Sequence, residues 1–165
     1  MEVPTLRDVY RAKKTIAPHI ARTPLHYSSG LSEYLEAEIY LKHEEYLPLG
    51  AFKGRGGINL LSSLTEEEKK LGVITASSGN HGQSIASACK LFGVKAMVGL
   101  PEDANPNKVA AMRALGAEII FHGPDFDSAR LHCESLAEEE GYLYVHPVND
   151  PFIIAGAGTQ ALETL

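Results

Sequence analysis

Val73-Ile74-Thr75-Ala76-Ser77-Ser78-Gly79-Asn80-His81-Gly82-Gln83-Ser84-Ile85-Ala86 is the stretch whose reading decides the fold. Its first four residues are apolar or β-branched and read as a buried strand. From Gln83 to Phe92 the apolar positions Ile85, Ala86, Ala88, Cys89 and Phe92 recur at helical spacing, and Gly93 is placed to stop that helix. Strand, polar turn and helix in this order open a βαβ unit.

The pattern repeats downstream. Val94–Leu100 reads as a second strand, and Asn105-Pro106 as an N-cap with proline at N1 opening a helix from Asn107 to Leu115. Gly116 closes that helix, and Glu118–His122 is a third strand. A helix from about Asp125 to Glu140 ends at Gly141, and Tyr142–Val145 is a fourth strand. Strands alternating with helices of about 10–15 residues imply a parallel sheet. The fold class is therefore α/β, with a doubly wound parallel four-stranded sheet in a small domain over residues 72–149.

The flanks read as parts of an incomplete larger α/β domain that build no sheet of their own. Residues 1–71 form its first part, including a lysine segment, and residues 150–165 return into it. Thr5 caps a helix running to about His19, with Leu6, Val9, Tyr10, Ile16 and Ile20 as its apolar stripe. Glu38–Lys42 is a strand, and a helix begins near Lys53 to Arg55 after the loop Leu47-Pro48-Leu49-Gly50. Thr65-Glu66-Glu67-Glu68 is a capping box that starts a helix ended by Gly72.

Composition narrows the class of function. The 165 residues carry 15 basic and 21 acidic side chains, a net charge of −6, with no run of Lys or Arg, which argues against nucleic acid as a partner. No apolar stretch approaches the ~18 residues of a membrane span. Met1-Glu2-Val3-Pro4 has no apolar signal region, so a cytoplasmic location is expected, with Cys89 and Cys133 as reduced, buried thiols. Seven histidines show no ligand spacing, and no metal site is expected.

Two segments carry chemistry. In Gly50-Ala51-Phe52-Lys53-Gly54-Arg55-Gly56-Gly57 a lysine stands at a loop-to-helix junction among small residues, with room for a bulky group on its amine. An ordinary lysine has a pKa of about 10.4, so a reacting amine must be held neutral by desolvation or nearby positive charge, and Arg55 is placed to supply the latter. The alternative is a plain surface lysine beside flexible glycines. The second segment, Thr75 to Gln83, lies between strand and helix, where backbone N–H groups converge with a helix dipole behind them. Such a turn at the C-terminal end of a parallel strand suits an anion, and its side chains exceed what a capped turn needs.

Taken together, Gly-Ala-Phe-Lys-x-Arg-Gly at 50–56 and Ser-Ser-Gly-Asn-His-Gly-Gln at 77–83 resemble the fold-type-II pyridoxal-phosphate enzymes. Within them the serine/threonine dehydratase and serine racemase branch is most similar. Leu41-Lys42-His43-Glu44, Pro106-Asn107-Lys108, Gly116-Ala117, His146-Pro147 and Ile154-Ala155-Gly156-x-Gly158-Thr159 extend the resemblance along the chain, which corresponds to the N-terminal half of such enzymes.

The resemblance implies a tryptophan synthase β-like fold and pyridoxal 5'-phosphate as cofactor. It implies that Lys53 forms the Schiff base and moves the substrate Cα proton, that Phe52 packs near the cofactor ring, and that Asn80 bonds its phenolic oxygen. Ser77, Asn80 and His81 are implied to clamp the substrate carboxylate. The reaction implied is deamination of L-threonine or L-serine to a 2-oxo acid and ammonia by β-elimination, in a homo-oligomer that is a dimer or tetramer.

Departures qualify this. Ala51 stands where many members have serine. Ser78 resembles serine racemases, where the second serine is the acid/base on the opposite face, so racemisation is the alternative activity. His81 argues against cysteine synthases. The family's phosphate-binding loop is expected beyond residue 165, so the chain alone is expected to be inactive. A further alternative is a non-catalytic fragment. Gly156-Ala157-Gly158-Thr159-Gln160-Ala161 superficially fits a dinucleotide pattern but reads as helix packing.

Overall fold

The computed structural model describes residues 3–165. Its elements run in chain order α1 (Leu6–Ile16), β1 (Leu25–Tyr27), α2 (Ser29–Leu35), β2 (Tyr40–Lys42), α3 (Gly54–Ser63), α4 (Glu66–Leu71) and β3 (Val73–Ala76). There follow α5 (Asn80–Phe92), β4 (Ala96–Leu100), α6 (Pro106–Ala114), β5 (Glu118–Phe121), α7 (Phe126–Glu140), β6 (Leu143–Tyr144) and α8 (Pro151–Thr164).

The four-stranded sheet has the order β5-β4-β3-β6 with every pair parallel. β3 is buried at all four positions because helices cover both faces of the sheet, which is why it reads as a continuous apolar run. Val73 packs with Leu60, Ile85 and Val98 on one face, while Ile74 and Ala76 pack with Met97 and Cys133 of α7 on the other. Burial of a side chain the size of Ile74 contributes about 1.5–3 kcal/mol. The first of these clusters also takes in Leu61 of α3, Leu64 just after it and Ile153 of α8, so one core runs beneath the sheet and the flanking helices.

The stop and start signals act where the sequence puts them. α5 and α7 end in left-handed Gly93 and Gly141. The Asn105 side chain accepts from Asn107 N–H at 2.9 Å, and Thr65 and Glu68 form the reciprocal capping box of α4. Several boundaries differ from expectation, and β2 starts at Tyr40. α5 begins at Asn80, since its first turn carries polar residues that show no apolar period. β4 and β6 are shorter than their apolar runs, and α1 stops at Ile16. Of the expected α1 stripe, Ile16 and Ile20 are buried, whereas Leu6 and Tyr10 are exposed.

One expectation is overturned. The flanks do build a sheet: β1 and β2 pair antiparallel, with Leu25 opposite Lys42, His26 opposite Leu41 and Tyr27 opposite Tyr40. All three β1 residues are exposed, so the strand has no inside–outside alternation to mark it.

α8 crosses α3 at a contact between glycines. A Cβ on Gly156 would stand 2.6 Å from the Arg55 carbonyl oxygen and 2.8 Å from Gly56 Cα. Gly158 of the same motif meets Val9 of α1, 3.2 Å from where its Cβ would stand, so both glycines serve helix packing. Among the described residues no helix is long and apolar enough to cross a membrane.

Candidate active site

Lys53 is the residue immediately before α3 and is half-buried. Among the described residues its amine makes no ion pair and donates no hydrogen bond, and it lies 5.5 Å from the centroid of the Phe52 ring. Phe52 is 37% exposed, so it flanks the amine and is not a core residue. The Lys53 backbone is held from two sides. Gly56 N–H donates to its carbonyl at 3.1 Å, and the Ser84 hydroxyl of α5 donates to the same oxygen at 2.7 Å. Gly57 makes this approach available, because a Cβ there would stand 2.8 Å from the Ser84 carbonyl oxygen and closer still to its hydroxyl.

Arg55 does not stand beside the Lys53 amine as the sequence suggested. Its guanidinium is 0% exposed and points toward β2 and α8. All five of its N–H groups have acceptors. Nε and Nη2 donate to Glu44 at 2.8 and 2.9 Å, and Nη1 and Nη2 to Glu163 at 2.7 and 2.9 Å, with Thr159 Oγ1 3.2 Å from Nη1. Lys42 Nζ donates to Glu163 at 2.8 Å and to the Thr23 carbonyl at 2.7 Å, and the Thr23 hydroxyl donates to Glu44 at 2.6 Å. Two cations and two carboxylates thus neutralise each other in the interior. Burial alone would raise the Glu163 carboxyl, but the hydrogen bonds from Arg55 and Lys42 hold it down at about 2.

The polar turn at the end of β3 is built as expected. Ser77 N–H donates to the Gly99 carbonyl at 3.2 Å, which fixes the turn to β4. Ser77 Oγ accepts from Gly79 N–H at 3.2 Å, so its own hydrogen is left to donate elsewhere. The backbone N–H groups of Asn80, His81 and Gly82 at the start of α5 have no partners among the described residues. The side chains of Ser78 and Asn80 are exposed and likewise unpartnered there.

His81 is the exception. Its side chain is 4% exposed, with Nε2 3.1 Å from the Thr75 hydroxyl, which itself donates to the Val145 carbonyl at 2.7 Å. Burial first, and the positive charge of Lys53 second, push its imidazole down to about 4, so it is neutral at pH 7. At the turn itself His81 leaves its backbone N–H open, while its ring is turned to Thr75. The Ser84 bond to the Lys53 carbonyl sets the lysine segment against the helix that this turn opens, so the two segments singled out by sequence come together.

The remaining groups supply no rival centre. Cys89 and Cys133 are free and buried, and burial pushes their thiols up to about 12 and about 11. Among the described residues no group of His, Cys, Asp and Glu could hold a metal ion. A cavity of about 570 Å³ lies among α1, α3 and α8 beside Arg11 and Asn59, and no site residue lines it.

Sequence reasoning placed Thr75 in the second segment without a role, and missed Ser84 and the partners of Arg55. One signal for the last was present: Arg55 is the sole charged residue of α3, and Glu163 the sole charged residue of α8. A lone charge in an otherwise apolar helix needs a buried partner.

The chain resembles known proteins along most of its length. The profile of the family described as pyridoxal-phosphate dependent enzyme matches residues 16–165. The L-threonine ammonia-lyase of Thermotoga maritima is 44% identical over 161 residues, which is 98% of this chain and 40% of that protein. Among solved structures, maize serine racemase matches with a TM-score of 0.94 at 33% identity, covering 99% of this chain and 50% of the other. The processed form of threonine deaminase isoform 2 from Solanum lycopersicum matches with a TM-score of 0.86 at 33% identity, covering 98% and 49%. The chain spans less than half the length of the curated relatives it matches.

Proposed function

The chain belongs to the pyridoxal-phosphate-dependent enzymes, and from that premise we propose that it carries the cofactor lysine and the substrate turn of an ammonia-lyase for L-threonine and L-serine. The reading rests above all on Lys53, which is half-buried, has no anion paired with its amine among the described residues, and bears by its charge on His81. The residues present fit the cofactor: a primary amine left free, an aromatic ring 5.5 Å from it, and unpaired amide and hydroxyl groups on the facing turn. When bound, the cofactor supplies an electron sink for a carbanion at the substrate Cα.

The chain's own groups do the rest. Lys53 would hold the cofactor through its amine, and the same amine would take the proton from the substrate Cα. Loss of the β-hydroxyl then leads to a 2-oxo acid and ammonia. The free N–H groups of Asn80, His81 and Gly82, with the Ser77 hydroxyl, receive the substrate carboxylate at the start of α5, where the helix dipole favours negative charge. The exposed Asn80 amide is free to bond the cofactor's phenolic oxygen, and Phe52 shields the lysine side of the site.

A second reading, serine racemisation, is favoured by Ser78, an exposed and unpartnered hydroxyl on the same turn. The similarity to maize serine racemase agrees with it.

Borohydride reduction of the full-length protein with pyridoxal phosphate, followed by peptide mapping, tests the assignment. The label is expected on Lys53, and a label on Lys42 or Lys69 overturns it. Ser78→Ala separates the two reactions. It should abolish racemisation and spare 2-oxo acid production, and a parallel fall in both would remove the special role of Ser78.

A further inference from the structure

Beneath the turn, the hydrogen bonds of Thr75 fix the state of His81. The Val145 carbonyl can only accept, so the 2.7 Å contact to Thr75 Oγ1 uses the single hydroxyl hydrogen of Thr75. Toward His81 Nε2, 3.1 Å away, Thr75 can therefore only accept, and Nε2 must carry a hydrogen. A neutral imidazole with Nε2–H holds Nδ1 as a bare lone pair. Nδ1 has no partner among the described residues, yet the one buried side-chain polar atom lacking a partner there is Tyr144 Oη, so Nδ1 is not sealed in the interior.

We infer that Thr75 is a positioning residue that, with the Val145 carbonyl, locks His81 as the neutral Nε2–H tautomer and leaves Nδ1 an acceptor-only atom. This rests on the reading of the turn given above and deepens it. A bare lone pair repels a carboxylate and suits an N–H donor. The His81 ring is thereby taken out of the carboxylate clamp, leaving that task to backbone N–H groups and Ser77. Thr75 lies inside a strand of otherwise apolar side chains, Val73, Ile74 and Ala76, where an unneeded hydroxyl would be costly. The charge of Lys53 opposes a proton on the same ring, in keeping with the neutral state.

The test is nitrogen NMR of the full-length protein labelled with ¹⁵N-histidine. His81 is expected to show the Nε2–H pattern from pH 5.5 to 8, and an Nδ1–H tautomer or an imidazolium at pH 7 overturns the proposal. Thr75→Ser should keep the pattern and Thr75→Val should lose it; a valine variant with the wild-type pattern also overturns it. Should the valine variant fail to fold, the wild-type spectrum alone decides. In steady state with L-serine, Thr75→Val should lower kcat by ~10-fold with little change in KM, the sign of an interaction other than uniform ground-state binding. A rise in KM of ~10-fold at unchanged kcat would return the ring to the clamp. Absence of any elimination or racemisation would count against the proposed function and leave the spectrum to judge the tautomer.

Discussion

The Ser84 hydroxyl donates to the Lys53 carbonyl across 2.7 Å, joining the lysine segment to the helix behind the polar turn, 31 positions further along the chain. The proposed cofactor lysine is therefore set by α5 as well as by its own helix. Ser84→Ala removes one of the donors to that carbonyl and leaves the Gly56 N–H. Urea unfolding should show a loss of about 1 kcal/mol, the usual net worth of such a bond. A loss within error would mean that the bond does not bear on stability.

Gly57→Ala should cost more. A Cβ there meets Ser84 through its backbone carbonyl oxygen at 2.8 Å and its carbonyl carbon at 3.1 Å as well as through its hydroxyl, so rotating the side chain away cannot relieve it. α3 and α5 must separate, at about 1–3 kcal/mol. Because most of the obstruction is backbone, Ser84→Gly in the Gly57→Ala background should restore only part of the loss. Full recovery in a double-mutant cycle would contradict this geometry.

The Arg55 network gives the largest expected effect. Arg55→Met leaves Glu44 and Glu163 buried with Lys42 as their remaining cation, a net uncompensated charge. Removing one partner from such a cluster costs about 3–5 kcal/mol, a large share of an ordinary domain's stability. Arg55→Lys restores the charge without the fork that serves two carboxylates, so it should recover only part. The shift in urea midpoint at constant slope measures both.

How far the sequence could be read follows from the range of each interaction. β3, α6 and α7 were legible because periodicity, Asn105, Asp125 and Gly141 act within a few residues. β1 was not, since Leu25, His26 and Tyr27 are all exposed and owe their strand to pairing with Tyr40, Leu41 and Lys42. Arg55 was visible as a charge, but its turn away from Lys53 depends on Glu163, 108 positions on. The side chain of His81 likewise faces Thr75 because the Val145 carbonyl, 70 positions beyond Thr75, fixes that hydroxyl. Site residues could thus be named from local pattern, while the directions of their side chains were set by distant partners.

Those distant partners predict a stability profile with two acid limbs. His81 is held at about 4 in the fold by burial and by Lys53, below its ordinary 6.5. Its neutral form is the one the fold accepts, so its contribution is complete above pH 6.5 and is lost as pH falls toward 4. Glu163, held at about 2 against an ordinary 4.5, contributes fully above pH 4.5 and loses that contribution as pH falls toward 2. Linkage puts each limb on the order of 3 kcal/mol. Stability from urea unfolding at pH steps between 8 and 3 should therefore begin to fall below neutrality, before any carboxylate titrates. His81→Asn should flatten the upper limb and leave the lower one, while Glu163→Gln, though less stable throughout, should flatten the lower one. A profile that stays level down to pH 5 in the unaltered protein would mean that His81 is not held neutral by the fold.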